Sequence, residues 1–140
     1  MTEERGLLDT SAVILLGQIP ASTLPSFPLI STVTLAELAV GPLAAKSEPE
    51  RLVRQARLLQ AQADFDPIPF DDQAARTFGT VSANLRASGR KTTARTFDAM
   101  IAATAISRGL PLYTANPRDF DGIESLVVNP VMAAGRDPGE

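Results

Sequence analysis

The sequence contains no cysteine, no histidine and no tryptophan. Without cysteine the chain has no disulfide, no thiol nucleophile and no thiolate metal site. Without histidine it has no catalytic triad and no imidazole pair, so acid–base work near pH 7 falls to carboxylates, lysine, Tyr113 or a water on a metal. Only oxygen ligands remain for a metal, which favours Mg²⁺ or Mn²⁺ over zinc.

Long apolar runs are also missing, although 44% of the residues are hydrophobic. No run approaches the roughly 20 residues that span a bilayer, and the N-terminus does not resemble a signal peptide. We therefore expect one soluble, cytoplasmic domain without membrane association. Its net charge of −3 weakly opposes a nonspecific nucleic-acid coat protein. It does not exclude nucleic-acid binding, because carboxylates gathered around a metal site count as negative charges until the ion binds.

Apolar periodicity and turn residues predict alternating strands and helices without hairpin signals. We expect strands over 6–8, 28–31, 66–70, 110–114 and 125–128, and helices over 11–17, 32–42, 47–63, 71–89 and 96–109, with one helical turn over 116–120. This order predicts an α/β fold with a central, mainly parallel sheet of four to five strands. Ligands of such sheets bind beyond the carboxyl ends of the strands.

Two acids follow the first two predicted strands. Asp9 ends "GLLD" and precedes Thr10 and Ser11, so it is either an N-cap or a group that points into the ligand crevice. Glu37 lies in "STVTLAEL", where it either closes a capping box with Thr34 or belongs to the same crevice. Each position is ambiguous when it is considered alone.

Two further acids occur later in the chain. Asp98 lies on the most apolar predicted helix. Burying an unpaired carboxylate there would cost several times the free energy that its interaction with the helix dipole contributes. Asp119 lies in "NPRDF", which is also ordinary helix-start sequence, with Asn116 as cap and Pro117 in the first turn. The four acids occupy comparable positions around the sheet. A single anionic site therefore explains them better than four unrelated helix caps do.

These stretches resemble a known family. "LLDTSAVI", "STVTLAEL", "FDAMIAATAISRGLPLYT" and "TANPRDF" occur in the order and spacing of PIN-domain ribonucleases, and they are similar to VapC-type toxins of bacterial toxin–antitoxin pairs. The resemblance runs from about Leu7 to Val128. It implies a PIN-like α/β/α sandwich over residues 1–130, followed by a flexible tail over 131–140.

The resemblance also implies a Mg²⁺- or Mn²⁺-dependent endoribonuclease that acts on tRNA or another structured RNA. Asp9, Glu37, Asp98 and Asp119 match the catalytic acids. We expect Asp9, Asp98 and Asp119 to hold the metal and Glu37 to hold a water or a second ion. Thr10, Thr114 and Asn116 match polar positions of the pocket. A cognate VapB-type antitoxin, a homodimer and the bacterial cytoplasm are the further expectations.

Basic residues cluster just before Asp98 in "RASGRKTTAR". The cluster is either a solvated loop or a set of contacts for RNA phosphates, and we favour the contacts. Its members are Arg86, Arg90, Lys91 and Arg95. Arg118, next to Asp119, is a further candidate. Helix 47–63 carries an apolar stripe opposite its arginines. The ordinary interpretation packs that stripe on the core, whereas the alternative hypothesis makes it part of a groove for an antitoxin. The competing function is a catalytically silent PIN-fold module that binds RNA or an antitoxin.

Overall fold

A computed structural model describes residues 4–90 and 95–134. The strands are β1 (Arg5–Leu8), β2 (Phe27–Leu29), β3 (Leu112–Thr114) and β4 (Val128–Pro130). The helices are α1 (Thr10–Ile14), α2 (Thr32–Ala44), α3 (Glu48–Asp64), α4 (Asp72–Ala87) and α5 (Thr96–Ser107), with short 3₁₀ turns at Leu16–Gln18, Ala21–Thr23 and Pro117–Phe120.

The four described strands form one parallel sheet in the order β2-β1-β3-β4. Leu7 is paired with Leu29 on one side and with Leu112 on the other, so β1 is a central strand. The expected α/β fold with a mainly parallel sheet is therefore confirmed. In a parallel sheet all strands end at the same edge, and this edge carries the acids described below.

Side chains alternate along the central strands and divide the core between the two faces of the sheet. Leu7 and Leu112 pack with residues of α4 and α5, whereas Leu8 and Tyr113 pack with residues of α1, α2 and α3. Helix α5 contributes a nearly continuous buried run from Ala99 to Ala105, apart from the half-buried Met100. Its all-round apolar sequence therefore correctly indicated a buried helix.

The strand expected over 66–70 is wrong. Only a single parallel bridge forms there, between Ser31 and Ile68. The Ile68 N–H donates to the Ile30 carbonyl, and the Ile68 carbonyl accepts from the Thr32 N–H, both at 2.9 Å. The next N–H on this side, that of Phe70, donates to the Thr32 hydroxyl at 3.1 Å rather than to a backbone carbonyl, so the ladder does not extend.

Other boundaries shift by a few residues. The last strand begins at Val128 rather than at 125, and α1 ends at Ile14 before a 3₁₀ turn. Helix α2 continues past Pro42 to Ala44. Gly89 and Gly109, which we expected to end helices α4 and α5, adopt φ values of +82° and +65°, a conformation that favours glycine.

Helix α3 has the predicted period but the opposite orientation, so the expectation that its apolar stripe packs on the core is wrong. All five stripe residues are exposed: Leu52, Val53, Ala56, Leu59 and Ala63. The face that contacts α2 includes Arg54, whose aliphatic stem covers Gly41 and whose guanidinium donates to the Gly41 carbonyl at 2.9 Å. A long arginine stem over a glycine can replace an apolar contact between two helices.

Candidate active site

Asp9 lies at the end of β1, and both of its oxygens are hydrogen-bonded. Oδ1 accepts from the backbone N–H of Ala12 at 2.9 Å and from the Ser11 hydroxyl at 2.7 Å, while Oδ2 accepts from the Thr114 hydroxyl at 2.6 Å. The side chain is only 4% exposed. Asp9 is therefore an N-cap and a buried group at the sheet edge at the same time, and the two interpretations are not exclusive.

Ser11 and Thr114 tie the ends of β1 and β3 together. The Ser11 hydroxyl accepts from the Ala115 N–H at 3.0 Å, and the Thr114 hydroxyl oxygen accepts from the Asn116 N–H at 2.9 Å. Burial raises the pKa of Asp9, the hydrogen bonds from Thr114, Ser11 and Ala12 oppose this rise, and the charge of Asp119 adds to it. We did not predict a site role for Ser11, although a hydroxyl two residues after the acid was the available signal.

Glu37 lies in the second turn of α2. Its Oε1 accepts from the Thr10 hydroxyl at 2.6 Å, and the Thr34 hydroxyl lies 3.2 Å from the same Thr10 oxygen. Burial raises the pKa of Glu37, the Thr10 hydrogen bond lowers it, and the charge of Asp9 raises it further. The capping box with Thr34 does not form, because the cap of α2 is Ser31, whose hydroxyl accepts from the Thr34 N–H.

Asp98 lies in the first turn of α5 and is half-buried. Its pKa is raised from 3.8 to about 6, and burial is the largest cause. The charges of Asp119, Glu37 and Asp9 add to the rise, and the charge of Arg95 opposes it. Carboxylates influence one another in this way only when they are close in space, so the fold brings the acids from four separate segments to one region.

Asp119 belongs to the 3₁₀ turn Pro117–Phe120, whose first turn is closed by the Asp119 N–H donating to the Asn116 carbonyl at 3.0 Å. Its Oδ1 accepts from Arg95 Nη1 at 2.5 Å, and the same nitrogen lies 3.8 Å from Asp98 Oδ2. The sequence did not indicate that a guanidinium lies between these two acids.

The four carboxylates are not arranged as a complete metal site. Within residues 4–90 and 95–134, no three carboxylates converge closely enough to hold one ion as they are placed. The donor chemistry nevertheless fits a hard divalent cation, because all four groups are carboxylates and like charges gathered here are costly without a cation. Asp9, Asp98 and Asp119 are the residues that would hold it, with Glu37 beside them.

The remaining predicted site residues have different environments. Asn116 and Arg118 are exposed on the 3₁₀ turn, and Arg86 is exposed at the end of α4. Arg90 is half-buried, with Nη2 at 3.6 Å from Asp121 and with Nη1 buried and lacking a hydrogen-bond partner among the described residues. Lys91 lies outside the described residues.

Comparison with known proteins identifies the fold. The model of the PIN domain family matches residues 7–125. The chain belongs to the PIN domain family. Ribonuclease VapC5 of Mycobacterium tuberculosis is 39% identical over 133 residues, which cover 91% of this chain and 96% of that protein. The tRNA(fMet)-specific endonuclease VapC of Shigella flexneri is 38% identical over 128 residues, with 86% and 92% coverage.

Solved structures give the same family. The VapBC-5 toxin–antitoxin system of Mycobacterium tuberculosis matches with a TM-score of 0.78 and 38% identity, and the match covers 90% of this PIN domain chain and 98% of the other. DNA-bound VapBC of Salmonella typhimurium matches with a TM-score of 0.71 and 25% identity, with 92% and 98% coverage. The predicted PIN-like α/β/α fold and the resemblance to VapC proteins are both confirmed.

Proposed function

We propose that this protein is a VapC-type toxin that hydrolyses RNA phosphodiester bonds with a divalent metal. The ribonuclease assignment is supported by curated relatives named VapC ribonucleases, which match nearly the whole chain. The observation that carries the proposal is the electrostatically coupled set of Asp9, Glu37, Asp98 and Asp119 at the carboxyl edge of the sheet. Hydrolysis needs an activated water and neutralisation of phosphate charge, and clustered acids serve both needs through a metal.

The four acids and two neighbouring hydroxyls have different roles in this proposal. Bound Mg²⁺ or Mn²⁺ supplies charge neutralisation and lowers the pKa of an attacking water. Asp9, Asp98 and Asp119 would hold the cation, and Glu37 would hold a water or a second ion. Thr10 and Thr114 each hold one carboxylate by a 2.6 Å hydrogen bond, so these hydroxyls fix the direction of Glu37 and Asp9.

RNA contact is proposed for the basic residues that the sequence analysis singled out. Arg86 and Arg118 are exposed, and the planar guanidinium suits phosphate oxygens. The other residues proposed for RNA contact are Arg90, Arg95 and Lys91, the last of which lies outside the described residues, and Asn116 is proposed to line the pocket. The substrate class is a structured RNA such as tRNA, which is the class printed in the name of the Shigella flexneri relative. Phosphate contacts position the backbone, and they do not select a sequence.

The antitoxin is proposed to cover the exposed apolar face of α2 and α3. On α3 this face is the stripe defined above, and on α2 Val40 is 55% and Leu43 is 85% exposed. Several relatives of known structure are toxin–antitoxin complexes, which supports a VapB-type partner for this chain. An amphipathic antitoxin helix would bury these side chains.

Two expectations stay predictions from the resemblance: a homodimer, and the bacterial cytoplasm as the place of action. No helix among the described residues is long and apolar enough to cross a membrane. Static light scattering on the isolated chain and on the chain with its antitoxin measures the assembly directly.

The test of the proposed function is cleavage of purified total RNA by the full chain, with Mg²⁺ or with EDTA. We expect discrete fragments that require both the metal and Asp9, and mapping of the RNA ends identifies the substrate. Asp66→Asn is the matched control, because Asp66 is an exposed acid away from the cluster. RNA binding without cleavage in Mg²⁺ and Mn²⁺ would instead support the silent PIN-fold module.

A further inference from the structure

Arg95 is the one described cation in contact with the acidic cluster, and it contacts two of the four acids. We propose that Arg95 is a built-in counter-ion that occupies the cation's place between Asp98 and Asp119 and must withdraw when the metal binds. This inference rests on the proposed metal-dependent function, and it adds a residue that sets the affinity for the metal.

The geometry of the contact supports exchange with a cation. A single nitrogen, Nη1, lies 2.5 Å from Asp119 Oδ1 and 3.8 Å from Asp98 Oδ2. Arg95 therefore does not form the parallel two-nitrogen fork with one carboxylate that makes arginine pairs strongest. It places one positive centre between two carboxylates that come from different segments, which is also what a divalent ion would do.

The contacts that the structure describes for Arg95 agree with this role. Arg95 precedes α5 and makes no side-chain capping bond to that helix. About a third of its side chain is exposed, so withdrawal toward solvent needs no opening of the core. Its two described ion pairs are both with predicted metal ligands.

The other acids are held in a different way. Asp9 is bound by Ser11, Thr114 and a backbone N–H, and Glu37 is bound by Thr10. Hydroxyl donors leave the negative charge of a carboxylate in place, whereas Arg95 neutralises part of it. Two of the acids are thus directed to Arg95 and two to hydroxyls, and no three described carboxylates converge on one point.

Two consequences follow for the reaction. The metal must compete with Arg95, so the resting protein has a lower affinity for the ion than its four acids alone would give. A displaced guanidinium becomes available to an RNA phosphate beside the site, which agrees with the RNA contact proposed for Arg95.

The test is isothermal titration of Mn²⁺ into the metal-free, full-length chain, without RNA. Arg95→Gln removes the charge and keeps much of the side-chain length. Arg118→Gln is the matched control, because Arg118 neighbours Asp119 in sequence but is exposed and has no ion pair among the described residues. We expect Arg95→Gln to bind Mn²⁺ about tenfold or more tightly than the wild type, and Arg118→Gln to differ by less than about threefold.

A second readout separates displacement from a general charge effect. In EDTA, Arg95→Gln should melt at a lower temperature than the wild type, because Asp98 and Asp119 repel each other without their counter-ion. Mn²⁺ should raise the melting temperature of Arg95→Gln by more than it raises that of the wild type. Equal Mn²⁺ affinity in the two arginine variants, or no Mn²⁺ binding by Arg95→Gln, overturns the inference. Failure of the proposed function shows separately, as absence of RNA cleavage by a chain that binds Mn²⁺.

Discussion

At the scale of single residues, the same side chain can serve the fold and the site. Asp9 caps α1 through Ala12, and it also accepts from Thr114 across the sheet edge. Either interpretation of the "DTS" sequence alone would have missed half of this. Substitutions at Asp9 can therefore be chosen to separate the cap from the charge.

We predict that Asp9→Asn abolishes cleavage but keeps the fold. Asparagine is as good an N-cap as aspartate, whereas Asp9→Ala loses the cap at a cost of about 1 kcal/mol. RNA cleavage should fall at least about a hundredfold in both variants, since each removes a proposed metal ligand. In EDTA, thermal melting should place Asp9→Asn at or above the wild type and Asp9→Ala below it. Cleavage by Asp9→Asn at the wild-type rate would remove Asp9 from the site.

The raised pKa of Asp98 predicts a pH dependence of stability. Because its folded-state pKa is about 6 rather than 3.8, the native protein binds more protons than the unfolded chain between these values. Metal-free stability should therefore fall as the pH rises through this window, by at most about 3 kcal/mol from this group. The pKa values of Asp9 and Glu37 are raised too, so they act in the same direction.

Melting temperatures in EDTA at pH 4, 5, 6 and 7 measure this effect, with Asp98→Asn as the comparison. The variant should be close to the wild type at pH 4 and more stable at pH 7, because it has no charge to desolvate. Parallel curves for the two proteins would show that the Asp98 carboxyl titrates normally in the folded chain.

At the scale of elements, the sequence predicts that a segment is helical better than it predicts which face of the helix packs on the core. The apolar spacing of α3 was predicted correctly, but its apolar stripe is exposed, and the face that packs inward carries Leu58, Ala61 and the stem of Arg54. One contact on this face joins Arg54 to Gly41, residues 13 positions apart on different helices. Hydrophobic periodicity within one helix contains no information about such a partner.

We predict that Leu59→Glu weakens antitoxin binding without unfolding the chain. Leu59 is 55% exposed, so a polar residue there should change the free energy of unfolding by less than about 0.5 kcal/mol. A charge buried under a docked amphipathic helix should weaken binding by tenfold or more. Calorimetry with the cognate antitoxin measures this, and Gln62→Glu supplies the same charge outside the stripe. Equal affinities for the two variants would place the antitoxin elsewhere.

At the scale of the whole molecule, the parallel sheet was predictable, whereas its strand order and the side-chain pairing were not. The order β2-β1-β3-β4 is known from the structure, and it places β1 beside β3 at the edge that carries the acids. The contact of Arg95 with Asp119 joins residues 24 positions apart and depends on rotamers at that edge. The sequence singled out the four acids as candidates for one site, but it did not indicate that a guanidinium lies between two of them.

The acids come from β1, α2, α5 and the turn after β3, so one bound ion links segments that span most of the chain. Ligand binding to the native state alone stabilises it by about 2.7 kcal/mol at a hundredfold excess over the dissociation constant. For a chain of this size, we expect Mn²⁺ to raise the melting temperature by roughly 5–15 °C. Asp119→Asn should lose most of that rise, and Asp66→Asn should keep it. A rise of equal size in both variants would mean that the ion binds outside the acidic cluster.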